Sequence, residues 1–249
     1  MTAQDKQVTT PVYSEEDHRT WAVLSERQAA RVAGCACQLF FTGFPKLQLD
    51  PKRLPDPAVA SERIHGLTGW TLGDAQNVYL GATEWFEHLY ENRFPVTSYI
   101  RRPNEIEFTP LPDLFHEYFG HLAFFTDQYF ADTAQMFGQL YLGAKNERQQ
   151  LEISRLWWYT TEFGLIRENG KLKIIGAGLL SSTGELEHAF KPETPRYDFD
   201  IRRAAETPSA VYSFHPAYFI LDDLPHIRRI MADYARMEGI PEPKPLHGD

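Results

Sequence analysis

Cysteine is scarce in this chain: among 249 residues only Cys35 and Cys37 carry thiols. Two positions apart, they cannot close an unstrained bridge. No disulfide framework is expected, and free thiols suit a reducing cytoplasm. Long apolar runs are missing as well. None approaches the ~20 residues of a membrane span. The opening Met-Thr-Ala-Gln-Asp-Lys-Gln has no apolar core of the kind a secretory signal carries. Basic charge is not in excess. The net charge is −9, which argues against nucleic acid as a partner, because phosphate binding needs a basic face. Internal repeats, low-complexity tracts and an obvious linker are lacking too. One domain over residues 1–249 is therefore expected, with loose ends at 1–12 and 240–249.

What is present is an ordinary globular composition, 43% hydrophobic and 24% charged, with a generous 14% of aromatic residues. The periodicity predicts a mainly α fold with a few short β-strands. Ser14-Glu-Glu-Asp17 resembles a capping box and opens a helix expected to run to residue 41. A short helix is expected at 58–65 within a loop at 46–66, loop at 67–81, and a helix at 82–92. Extended segments are expected at 95–100 and 106–109. Pro112 suits the first turn of a helix reaching about 124, followed by helices at 128–142 and 147–166. A strand at 171–175, a turn at 176–178, a mixed region at 189–215 and a helix at 222–238 complete the pattern.

The chemistry-bearing segment is Pro112-Asp-Leu-Phe-His116-Glu117-Tyr-Phe-Gly-His121. Glu162 follows within an aromatic run, Trp157-Trp-Tyr-Thr-Thr-Glu162-Phe-Gly-Leu. Two imidazoles and a carboxylate can hold one face of an octahedral metal and leave the other open, as in non-haem Fe(II) oxygenases. A lone buried histidine is more often a satisfied core residue, so the pattern has to carry the argument. The spacing is awkward. Residues five apart on an α-helix lie roughly 140° apart, so His116 and His121 converge only if the helix is distorted. The zinc-protease pattern needs histidines four apart on one helical face, and this segment fails it. Glu162 is expected among aromatic side chains, where a carboxylate requires a cation. That cation is either a metal or an arginine such as Arg155 or Arg167, the remaining alternative being a Glu162 that faces solvent.

Four ordered segments bear a family likeness. They are Arg93-Phe-Pro-Val-Thr-Ser-Tyr-Ile-Arg101, Phe108-Thr-Pro-Leu-Pro-Asp113-Leu-Phe-His-Glu-Tyr-Phe-Gly-His121, Trp158-Tyr-Thr-Thr-Glu162-Phe-Gly-Leu165 and Gly176-Ala-Gly-Leu-Leu-Ser-Ser182. Together they resemble the pterin-dependent aromatic amino acid hydroxylases from about Ser14 to Leu224, most closely the short bacterial members that consist of the catalytic domain alone. The resemblance implies that His116, His121 and Glu162 are the catalytic iron ligands. It implies that Arg101 grips the substrate carboxylate, and that Trp158, Phe163 and Pro110 enclose the substrate ring. Thr109, Gly178 and Ser181 fall near the substrate backbone, and Glu185 is a supporting carboxylate.

For the tetrahydrobiopterin cofactor, Trp85 stands where the family has a stacking Phe, and Glu117 matches a carboxylate near the pterin ring. The stretch 71–84 departs from the family's pterin loop. Val211 stands where tyrosine hydroxylases carry Asp, which favours phenylalanine as substrate. Tryptophan, tyrosine or the meta position of phenylalanine are the alternatives, because one apolar contact discriminates by only ~1–3 kcal/mol. The implied activity is transfer of one oxygen atom from O2 to the ring, using Fe(II) and a tetrahydropterin. A zinc hydrolase and a non-catalytic binder are the rival classes. No family coiled-coil helix is visible, so a monomer is expected.

Overall fold

The computed structural model describes residues 11–75, 80–106, 109, 111–210 and 213–248. Pro110, Val211, part of the 71–84 stretch and residues 107–108 of one expected strand lie outside them. The first helix, α1 (Glu15–Val32), opens on a true capping box: Asp17 N donates to Ser14 Oγ and Ser14 N to Asp17 Oδ2. It stops short of the expected residue 41. Beyond Val32 the chain makes a turn at 33–35 and Ala36 then bridges to Ile174, through Ile174 N to Cys35 O at 2.7 Å and Cys37 N to Ile174 O at 2.9 Å. A separate α2 (Gln38–Gly43) follows. Cys35 therefore ends that turn and Cys37 precedes α2, and both are free.

α3 (Pro57–Thr68) starts at a capping Asp56 with Pro57 in its first turn, and ends at Gly69 in the left-handed conformation. The expected loop at 67–81 contains a strand, β1 (Thr71–Asp74). Four residues including Gly73 show no alternation to read. Their extended state comes from parallel pairing with β2 (Arg93–Val96), across α4 (Ala82–Tyr90). α5 (Gln128–Leu142) and α6 (Glu147–Trp157) are capped by Asp127 and Asn146.

The helix expected at 147–166 ends earlier, and Leu165 and Ile166 enter β3 (Leu165–Glu168). A short apolar run does not by itself distinguish helix from strand. β4 (Lys171–Ile174) closes a hairpin on β3. The expected turn at 176–178 is instead the start of α7 (Ala177–Ser181), which leads into α8 (Thr183–Phe190). β5 (Arg196–Asp198), α9 (Ile201–Glu206), β6 (Tyr218–Leu221) and α10 (Pro225–Glu238) complete the chain. β6 escapes sequence inspection because it is four apolar residues, all buried, with no polar face. It is central in the sheet β4-β3-β6-β5, parallel to both neighbours.

Around these small sheets the helices form the mainly α fold. The core runs through Phe115, Phe119, Phe124, Phe125 and Phe130, all almost wholly buried. The terminal stretch 240–248, expected to be loose, lies against α5. Lys244 and Gln139 exchange hydrogen bonds, and His247 Nδ1 meets the buried Asp132 at 2.9 Å. Among the described residues no helix is long and apolar enough to cross a membrane.

α4 and α5 pack closely at Gly138, where an added Cβ would stand 2.5 Å from Tyr90 N and 2.8 Å from Tyr90 Cα. Gly138→Ala is expected to lose about 1–3 kcal/mol, because backbone cannot yield as a side chain does. Gly66→Ala, on exposed α3 with nothing within 4 Å, should gain up to about 1 kcal/mol from helix propensity. Urea unfolding of the two variants checks both signs.

Candidate metal centre and cavity

The distortion that the spacing of His116 and His121 demands is present. Residues His116–His121 form a π-helical turn, with Leu122 N donating to Glu117 O, five residues back, at 3.1 Å. A turn that closes at the fifth residue sets His116 and His121 nearly one above the other. Their Nε2 atoms are 3.1 Å apart and their rings near perpendicular, at 87°. Glu162 arrives on a second π turn, Trp158–Glu162, closed by Phe163 N on Trp158 O at 2.8 Å. Threonine chemistry supports this second widening. Thr160 Oγ1 donates to Leu156 O at 2.7 Å and Thr161 Oγ1 to Trp157 O at 2.9 Å. The hydroxyls satisfy carbonyls that a widened turn leaves without their usual partners.

Glu162 Oε1 lies 3.1 Å from His121 Nε2, and Oε2 lies 3.5 Å from His116 Nε2. Ligands at about 2.1 Å from one ion and at right angles to each other are separated by about 3.0 Å. The imidazole pair and the His121–Oε1 pair match that spacing, and one donor atom from each of the three side chains lies within 4.8 Å of the others, so the group can close on one face of an octahedral ion. The three are the His, Cys, Asp and Glu group of metal-binding geometry among the described residues. Arg155 and Arg167, the rival cations for Glu162, turn elsewhere: Arg155 to Ala205 O and Arg167 to Asp198.

Protonation is arranged to suit a cation. Burial, reinforced by His121, pushes the His116 pKa down to about 4, so the ring is neutral at pH 7. Its tautomer is fixed. Ser181 spends its hydroxyl proton on Ala177 O at 2.9 Å, so at 2.8 Å it must accept from His116 Nδ1–H. The lone pair of Nε2 is left for a metal. Burial would raise the Glu162 carboxyl, but His121, His116 and the Trp157 indole N–H, 3.0 Å from Oε1, outweigh it and hold it down to about 2.

A cavity of about 720 Å³ opens beside this cluster, within the usual range of small-molecule sites. His116 and Glu162 lie in its wall, as do Arg101, Thr109, Trp158, Phe163, Gly178, Ser181, Glu185, Trp85 and Glu117. The sequence-derived site residues that are described thus come together, with His121 buried just behind. Arg101 is not a surface residue. Its Nε and Nη2 each reach Asp113 at 2.8 Å, and its backbone N does the same. Thr109 turns its hydroxyl to Leu111 O. Gly178 has its Cα against the Phe163 ring, where a Cβ would stand 2.5 Å from Cζ. Glu117 is buried and accepts from Thr97 N at 2.6 Å and Thr97 Oγ1 at 3.2 Å. Burial drives its pKa well above the usual carboxylate range, against the pull of the Thr97 bonds.

Several partners carried no sequence signal of their own. Asp113 sits inside the recognised segment but has no assigned role there. In the structure it caps the turn, accepting from His116 N at 3.1 Å, and holds Arg101. Glu185 accepts from His215 N at 3.1 Å and from Tyr218 OH at 2.6 Å, and meets His215 Nδ1. His215, in the cavity wall, stands 30 residues from Glu185 with no periodicity to mark it.

The family model of biopterin-dependent aromatic amino acid hydroxylases matches residues 3–244, and the chain belongs to that family. Phenylalanine-4-hydroxylase of Chromobacterium violaceum is 36% identical over 211 residues, 84% of this chain and 71% of that protein. The Caulobacter vibrioides phenylalanine-4-hydroxylase is 35% identical over 219 residues, 88% and 74% of the two chains. The crystal structure of the C. violaceum enzyme with iron(III) and 7,8-dihydrobiopterin superposes with a TM-score of 0.83 at 34% identity. The match covers 90% of this chain and 82% of that one.

The ligand geometry generates a direct expectation. Glu162→Gln removes the one anionic ligand and should weaken Co(II) or anaerobic Fe(II) binding by more than about a hundredfold. Far-UV circular dichroism should be unchanged. Metal titration followed by the visible cobalt spectrum tests it, and binding of undiminished strength would remove Glu162 from the ligand set.

Proposed function

We propose that this chain is an Fe(II)- and tetrahydropterin-dependent monooxygenase that hydroxylates free L-phenylalanine to L-tyrosine. The observation that carries the proposal is a half-open set of two imidazoles and one carboxylate in the wall of an apolar cavity that also presents a guanidinium. Iron and reduced pterin, when bound, supply the electrons that activate O2 and the oxidising power that reaches the ring. Side chains do the rest.

His116, His121 and Glu162 hold the metal from one side and leave its other side to the cavity. Arg101 has two of its nitrogens on Asp113, and its remaining N–H groups are free to fork onto the amino acid carboxylate. Trp158 and Phe163, with ring centroids 4.8 Å apart, offer faces to the substrate ring, joined in the proposal by Pro110 and Val211. Thr109, Gly178 and Ser181 stand near its backbone. Trp85, whose indole lies 6.5 Å from the His121 ring, offers a flat face for the pterin, and Glu117 offers a carboxyl for its ring nitrogens. The apolar walls exclude water from the reacting centre. A cytoplasmic monomer is part of the same proposal, and a stable tetramer on sedimentation would overturn that part.

The deciding experiment is a competition. Phenylalanine, tyrosine and tryptophan are offered together to the Fe(II)-loaded protein with O2 and tetrahydropterin. Mass spectrometry should find one added oxygen on phenylalanine, chromatographing as para-tyrosine. Oxygen on another substrate would change the name of the substrate, and none at all would overturn the proposal. Asp113→Asn, which loosens the grip on Arg101, should raise the KM for phenylalanine about ten- to a hundredfold, as for a lost charged hydrogen bond. The KM for pterin should move far less.

A further inference from the structure

We propose that His215 is a positioning residue that sets the plane of the Trp158 indole, and through it the fit of the substrate ring. The inference rests on the hydroxylase function proposed above. Trp158 Nε1–H donates to His215 Nε2 at 2.7 Å. That bond requires a lone pair on Nε2, and the surroundings provide it. Glu185 faces His215 Nδ1 while accepting from His215 N and Tyr218 OH. An ionised carboxylate only accepts, so the ring proton belongs on Nδ1 and Nε2 is left bare.

The imidazole is itself immobilised on every side. It lies 4.1 Å from the Phe163 ring at 36° and is 1% exposed. Its backbone carbonyl meets His188 Nε2 at 3.0 Å, and His188 also stacks on Phe214 at 4.8 Å and 13°. α8 thus grips residues 214–215 with two side chains, Glu185 and His188, one helical turn apart.

An indole swings about two torsions, and apolar packing alone leaves its rotation weakly specified. A hydrogen bond to its one polar atom removes that freedom. The consequence is local to the site. Trp158 opens the π turn that ends at Glu162, so the same short segment carries the aromatic plate and the metal ligand. Glu185, His215 and Trp158 form a chain from α8 to that plate, ending where the ring of a bound aromatic amino acid would lie.

The test compares His215→Leu with His215→Gln in the full chain. Gln offers an amide oxygen to the indole and an amide N–H to Glu185; Leu offers neither. Zn(II)-loaded protein is diamagnetic and uses the same ligand types, so the Trp158 indole N–H resonance, assigned by its loss in Trp158→Phe, is readable by NMR. Leu should shift that resonance upfield and weaken phenylalanine binding, measured by calorimetry, about three- to tenfold. In the Fe(II)-loaded enzyme the loss should fall on the KM for phenylalanine more than on kcat, with more pterin oxidised per tyrosine formed. Gln should recover most of each effect. An unmoved resonance in the Leu variant, or equal impairment of both variants, overturns the positioning role. Wild-type protein that forms no tyrosine overturns the function instead, while resonance and binding still decide the role of His215.

Discussion

Two imidazole nitrogens 3.1 Å apart, with the two Glu162 oxygens 3.1 and 3.5 Å from them, are the constraint on which the rest depends. An α-helix cannot bring histidines five apart to one point, and a buried carboxylate without a cation is costly. Both difficulties are met by the same device, a widened turn, used twice. The turns do not stand alone. Phe115 stacks on Phe119 at 4.9 Å, and Phe94 lies 5.0 Å from the His121 ring. This aromatic packing braces the first turn from behind, and threonine hydroxyls brace the second from within.

Acidic groups around the cavity follow one rule. Asp113, Glu117, Glu162 and Glu185 are all buried, where a carboxylate must be met by donors or lose its charge. Asp113, Glu162 and Glu185 have enough partners to stay below the ordinary carboxylate range, each against the opposing effect of burial. Glu117, met among the described residues by the two donors of Thr97, moves the other way. The partnerships also join functions. Asp113 Oδ1 accepts from Arg101 Nη2 at 2.8 Å and from His116 N at 3.1 Å. The substrate-gripping arginine and the first metal ligand of the proposal are therefore hung from a single carboxylate.

Much of this was legible in the chain, and the exceptions are instructive. The candidate ligands stood out as two imidazoles in one segment and a carboxylate in an aromatic run, but the family likeness rather than their spacing singled them out; α5 is readable because its caps and period agree. The π turns are not, since nothing in His116-Glu-Tyr-Phe-Gly-His121 separates a widened turn from an α one except the need for convergence itself. β1 and β6 were missed because four-residue strands take their state from their neighbours. The long first helix was overextended because apolar spacing continues past Val32, whereas the backbone is claimed there by Ile174. His215 and its link to Glu185 are a tertiary fact, joining residues 30 apart with no local pattern.

The five-residue spacing also decides what kind of chemistry the cluster suits. In the His-Glu-x-x-His arrangement one α-helical face carries both ligands, and the intervening glutamate serves a metal-bound water as base. Here the turn is wider, and Glu117, though next to His116, has its Oε2 on the backbone and hydroxyl of Thr97. No other carboxylate among the described residues of the cavity wall is unengaged: Glu162 belongs to the ligand set and Glu185 to His215 and Tyr218. Hydrolysis would ask this site for a general base placed as in that arrangement, whereas the carboxyl beside the histidines in the chain, Glu117, is turned toward Thr97. Oxygen transfer to an aromatic ring asks instead for an electron-rich, half-open ion, a dry wall and two flat surfaces. The same letters, one residue further apart, thus move the site from one reaction class to the other.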